Sequence, residues 1–142
     1  MAAAAPYSVV KIDDIPELVY EEDPGEAAWK PVRIHLGIRA FGTNAYVGRR
    51  AGDDLIEKHS EVEDSGTRHE ELYVVLEGRA TFTIGDEEVE AEAGTLVYVA
   101  DPETIRGAVA REDGTTVICF GGTPGEAFTV SPWEQKYVNR AG

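Results

Sequence analysis

From about residue 32 to residue 121 the chain is a succession of short runs rich in Val, Ile, Thr, Tyr and Phe, broken at intervals by Gly, Asp and Pro. Runs of this composition with turn residues between them predict β-strands. Arg33 to Ala40 alternates with period two, which puts Ile34, Leu36 and Ile38 on one face of an expected strand and Arg33, His35 and Arg39 on the other. Leu72 to Leu76 is apolar on both faces, the pattern of a strand buried between two sheets or lining a barrel. Arg79 to Ile84 and Glu87 to Glu92 flank Gly85-Asp86, which predicts a hairpin because glycine admits the positive φ of a tight primed turn. Thr95 to Val99 and Thr115 to Phe120 read as further strands, closed by Asp101-Pro102 and by Gly121-Gly122. The chain as a whole reads as all-β, a sandwich or a small barrel.

The two ends differ from this pattern. Pro16 to Tyr20 reads as part of an N-terminal arm that adds to a sheet edge. Near the other end Ser131 can cap a helix, with Pro132 in the first helical position and Glu134 at the third, a capping box. Trp133 and Tyr137, four apart, would then share a face and pack against the barrel or a partner subunit. A chain of 142 residues has room for one domain, divided here into an arm over 1–30, a β-barrel over 31–124 and a C-terminal extension with a short helix over 125–142.

Charge and cysteine count narrow the chemistry. Thirteen Lys and Arg stand against 27 Asp and Glu, a formal net charge of −14. Nucleic-acid backbones and anionic membrane surfaces need clustered positive charge, so neither is an expected partner. No apolar run approaches the ~20 residues of a membrane-spanning helix, and the start lacks the pattern of a secretory signal, so the expected location is the cytoplasm. A single cysteine excludes an internal disulfide and multi-cysteine metal sites. Cys119 lies among apolar residues of an expected strand and reads as a buried small hydrophobe, not a nucleophile. With three His in the chain, any metal site is built from imidazoles and carboxylates.

The informative stretch is His69 to Gly78, where Glu71 is followed by six residues and Gly78, while Gly94 is followed by the five residues Thr95 to Val99. In these spacings, and in the hairpin between them, the sequence resembles the cupin superfamily over roughly residues 35 to 121. The resemblance implies a single β-barrel of the double-stranded β-helix, or jelly-roll, type that forms a homodimer. In cupins that bind a metal, two His and the Glu of the first motif and the His of the second point into the barrel. Counting back from Glu71 at the family spacing meets Ser65 and Thr67, or Asp64 and Gly66, and no imidazole. Counting forward from Gly94 puts Ile105 at the second-motif His and Val109 at its Asn, with Arg106 beside the ligand position.

A second alignment starts at Gly52 and recovers part of the site. His59-Ser60-Glu61 then resembles the H-x-H pair with a carboxylate in place of one imidazole, and Val62 to Arg68 becomes a loop insertion before Glu71. Strand alternation puts His69, Glu71, Tyr73 and Val75 on one face. The resulting metal-ligand candidates are His59, Glu61, His69 and Glu71, a set that suits Fe, Mn, Zn or Ni. His69 and Glu71 are also the candidate catalytic pair for proton transfer. Arg39, Tyr73 and Arg106 are candidates for holding a small-molecule substrate, the arginines through a bidentate fork to a carboxylate or through salt bridging on an acid-rich surface. His35, on the polar face with Arg33 and Arg39, reads as a surface or polar-pocket residue. Three functional readings stay open: a small-molecule enzyme with a reduced His/Glu metal site, a metal-free domain that binds or senses a small molecule in the barrel, and metal-free acid/base catalysis.

Overall fold

The computed structural model describes residues 6–17, 27–63, 66–132 and 134–135. The strands are β1 (Ala28–Lys30), β2 (Gly42–Gly48), β3 (Asp54–His59), β4 (Glu70–Glu77), β5 (Arg79–Ile84), β6 (Glu87–Glu92), β7 (Leu96–Val99), β8 (Arg106–Ala110) and β9 (Thr115–Gly122). They form a five-stranded sheet in the order β1-β2-β9-β4-β7 and a four-stranded sheet in the order β3-β8-β5-β6, and each pairing is antiparallel. From β2 onward every connection except the β5–β6 hairpin carries the chain from one sheet to the other. Residues close in sequence therefore face one another from opposite walls.

Period-two alternation fills the space between the sheets. Tyr73 and Val75 from β4, Phe82 from β5, Val99 from β7 and Val117 and Cys119 from β9 meet Leu55, Ile56 and Ala108 of the other strands. The hairpin expected at Gly85-Asp86 forms between strands with the boundaries read from the sequence.

Two expectations are corrected. Arg33 to Ala40 is not a strand: Val32–Leu36 forms a short helix, α1, after Pro31. Gly37, in the left-handed region at φ 75°, ends it by donating its N–H to the Arg33 carbonyl at 2.9 Å. The alternation of Ile34, Leu36 and Ile38 concealed a second spacing, Val32 and Leu36 one helical turn apart. That pair packs with Ile12, Ile15, Ala45 and Ile118 over the outer face of β2 and β9. The second concerns β4, of whose two expected settings the lining of the interior, through Tyr73 and Val75, holds and burial on both faces does not. The outer cluster covers only part of its sheet, so Leu72 and Val74 are half-buried and Leu76 is exposed.

At the C-terminal end Gln135 N–H reaches the Ser131 carbonyl at 3.0 Å, one helical turn. Glu134 does not close a capping box on Ser131. Its carboxylate instead accepts from Arg33 Nε at 3.0 Å and Asn44 Nδ2 at 3.4 Å, tying this turn to α1 and β2. Trp133, Tyr137 and Leu18 to Tyr20 lie outside the described residues. Among the described residues, no helix is long and apolar enough to cross a membrane.

Candidate functional site

His59 at the end of β3 and Arg106 at the start of β8 are partners in register, so their side chains leave the same face of the four-stranded sheet. The carbonyl of Glu57 lies 2.8 Å from His59 Nδ1. A carbonyl only accepts, so the proton is on Nδ1 and Nε2 is turned toward the interior. There it meets two carboxylates, Glu71 Oε1 at 3.6 Å and Glu61 Oε2 at 3.7 Å.

Glu61 is held in place by its backbone. Its N–H donates to the Pro102 carbonyl at 2.8 Å and its carbonyl accepts from Arg68 N–H at 2.7 Å, while Ser60 Oγ accepts from Glu63 N–H at 3.0 Å. The loop after β3 thus turns Glu61 inward, where it is 4% exposed despite its charge.

Glu71 stands on the opposite wall, next to Gly121 of β9. Oε1 accepts from the Tyr73 hydroxyl at 2.5 Å and from Arg106 Nη1 at 2.7 Å, and Oε2 accepts from the Cys119 thiol at 3.2 Å. Burial by itself would raise the Glu71 carboxyl. The approach of His59, the Tyr73 hydroxyl and the charges of His59 and Arg106 outweigh it and hold the group at about 2. Burial lowers His59, but the two carboxylates and the Glu57 carbonyl overcome it and leave the imidazole above its ordinary value. Burial, with Glu71 close by, pushes Tyr73 and Cys119 well up, so both remain protonated donors.

Arg106 is fully buried and widely bonded. Besides Glu71, its Nε donates to the Thr104 carbonyl at 2.8 Å and its Nη2 to the Asp101 carbonyl at 3.1 Å. Ile105, which the motif count places at the ligand position, is 52% exposed. β8 begins one residue later, and alternation sends Arg106 inward in its place.

Of the other candidates, His69 lies just before β4 with its ring stacked on Phe128 at 5.2 Å and its Nδ1 3.8 Å from Glu61 Oε1. Burial lowers its pKa against the opposing charge of Glu71. It borders the cluster of His59, Glu61 and Glu71 but is not part of it. Tyr73 points into the network as a hydroxyl donor. Arg39 is exposed in the connection between α1 and β2, and His35 is exposed on α1. The hydrogen bond from Cys119 was missed in the sequence because an apolar strand context shows nothing of what faces it from the next strand.

No protein-family model and no curated protein matches the sequence. Solved structures do match. A sugar phosphate isomerase from the cupin superfamily of Silicibacter pomeroyi has a TM-score of 0.65 at 19% identity, over 82% of this chain and 77% of the other. KdgF from Halomonas sp. has a TM-score of 0.61 at 19% identity, over 80% of this chain and 93% of the other. An RmlC-like cupin from Shewanella frigidimarina has a TM-score of 0.59 at 16% identity, over 86% and 95%. The chain has the cupin fold. At these identities the likeness speaks for architecture alone, so the chemistry of this cupin barrel rests on its own residues.

A divalent metal is the group that a cupin barrel suggests, and the residues answer in two parts. His59, Glu61 and Glu71 each offer a ligand atom within 4.8 Å of the others, and the protonated Nδ1 leaves His59 Nε2 free to ligate. Donor type and spacing fit. The charge of Arg106 opposes an ion there. An ion ~2 Å from Glu71 Oε1 would lie within about 5 Å of Arg106 Nη1, itself 2.7 Å from that oxygen. At an effective dielectric of about 20 the like charges oppose one another by about 7 kcal/mol. Without a metal, Arg106 and His59, whose pKa the carboxylates raise, stand against Glu61 and Glu71.

Proposed function

We propose that this cupin-fold chain is a metal-free small-molecule-binding protein, and that His59 is its ligand-contacting acid/base group. The observation that carries this reading is the set of donors around Glu71: Tyr73, Arg106 and Cys119 fill its two oxygens from inside the barrel. His59, at 26% side-chain exposure, is the most open member of the network. A ligand hydroxyl or amine reaching His59 would meet an imidazole backed by two carboxylates, an arrangement able to donate or accept a proton. The net charge of −14 and the commitment of the Arg106 guanidinium to Glu71 and two backbone carbonyls disfavour an anionic ligand and favour a neutral or cationic one.

Thermal shift against neutral sugars, amines, carboxylates and a sugar phosphate tests this. Neutral or amine-bearing compounds should raise the melting temperature and anionic ones should not, and the shift should disappear in His59→Ala. A ligand bound equally well by His59→Ala would overturn the reading.

The closeness of His59, Glu61 and Glu71 favours a second reading, in which they hold iron, manganese, zinc or nickel. Metal analysis of tag-free protein separates the two, since one equivalent of bound metal would establish the second. We also propose that two copies of the chain form a homodimer.

A further inference from the structure

We propose that Arg106 is the resident counter-cation of the barrel site, and that it masks a latent divalent-metal site formed by His59, Glu61 and Glu71. The inference rests on the metal-free reading above. Two carboxylates and an imidazole, from two sheets and a loop, present ligand atoms within 4.8 Å of one another. Two carboxyl groups so placed, with Glu61 4% exposed and the Glu71 side chain 12% exposed, are stabilised in their ionised form by a positive charge close by. The chain supplies it from β8. Arg106 is opposite His59 in register, is 0% exposed and places Nη1 2.7 Å from Glu71 Oε1.

The guanidinium is fixed from behind by the Thr104 and Asp101 carbonyls, so it cannot swing aside to admit an ion without leaving buried N–H groups unpaired. Unlike a metal, it offers no open coordination position, and it leaves His59 Nε2 facing the carboxylates. Replacing Arg106 by a neutral side chain would remove the competing charge and keep all three ligands.

The test is calorimetric titration of tag-free protein with NiCl2 and with ZnCl2, for the parent and for Arg106→Gln, Arg106→Lys and the double variant Arg106→Gln/His59→Ala. Arg106→Gln should bind one equivalent at least roughly 100-fold more tightly than the parent. Arg106→Lys, which keeps the charge, should resemble the parent, and the double variant should lose the gain. If Arg106→Gln does not fold by itself, one equivalent of Ni2+ should restore folding, and a failure to do so overturns the proposal. A folded Arg106→Gln with no gain over a metal-free parent overturns it while leaving the metal-free reading intact. One equivalent bound tightly by the parent overturns both.

Discussion

The Glu71 carboxylate draws its donors from β4 and β9 of its own sheet and from β8 of the other, and its acidity follows from that company. With the folded group at about 2 and an ordinary value of 4.5, ionised Glu71 adds stability that is fully present above pH 4.5 and is lost as the pH falls through about 2. The linked contribution is on the order of 3 kcal/mol. Chemical denaturation from pH 6 to pH 2 should show a steeper loss of stability for the parent than for Glu71→Gln, whose amide does not titrate. Parallel profiles would remove Glu71 from the network's energetics. The sequence already showed Glu71 and Tyr73 on one face, because alternation is a local property. It could not show that Arg106 and Cys119 complete the shell, because they arrive from strands 35 and 48 residues away.

At the level of elements, two glycine turns on either side of β5 look alike in sequence and differ in cost. Gly78, between β4 and β5, has φ 74°, and a Cβ there would lie 2.4 Å from Thr115 Oγ1 and 2.9 Å from Thr115 Cα. Gly85, in the β5–β6 hairpin, has φ 60° and open space around it. Gly78→Ala combines left-handed strain with a backbone clash and should cost about 3 kcal/mol or more, whereas Gly85→Ala meets only the strain, about 1 kcal/mol. Urea denaturation of the two variants checks the difference, and equal losses would mean that β9 does not press on the β4–β5 turn. The hairpin was legible because turn chemistry and alternation agree there. α1 was not, since five residues carry too few apolar positions to separate period two from period 3.6, and contact with Ile15 and Ala45 decided the matter.

For the whole molecule, the four sheet edges among the described residues show where a second copy can join. β6 carries Glu87, Glu88, Glu90 and Glu92. β3 carries Asp54, Glu57 and Lys58 with register shifts along its pairing, and β1 is three residues long and ends in Lys30. Charges, irregular register and shortness are the usual protections of an edge. β7, Leu96–Val99, has no charged residue and exposes Leu96 at 64% and Tyr98 at 58%. The homodimer is therefore expected to form at β7, the edge whose own residues carry no charge, with the Glu70 carboxylate beside Tyr98 taken up by the tyrosine hydroxyl. Light scattering should give the parent twice the mass of one chain and Leu96→Lys the mass of one; a monomeric parent would negate the dimer. The sequence by itself determined the all-β class, the β5–β6 hairpin and the shared face of Glu71 and Tyr73, because turn chemistry and alternation act between near neighbours. Only the tertiary structure decided that His59, Glu61 and Glu71 meet while His69 stacks on Phe128, and that Arg106 enters the site where Ile105 was counted. Those outcomes depend on strand register across the space between two sheets, which no single strand encodes.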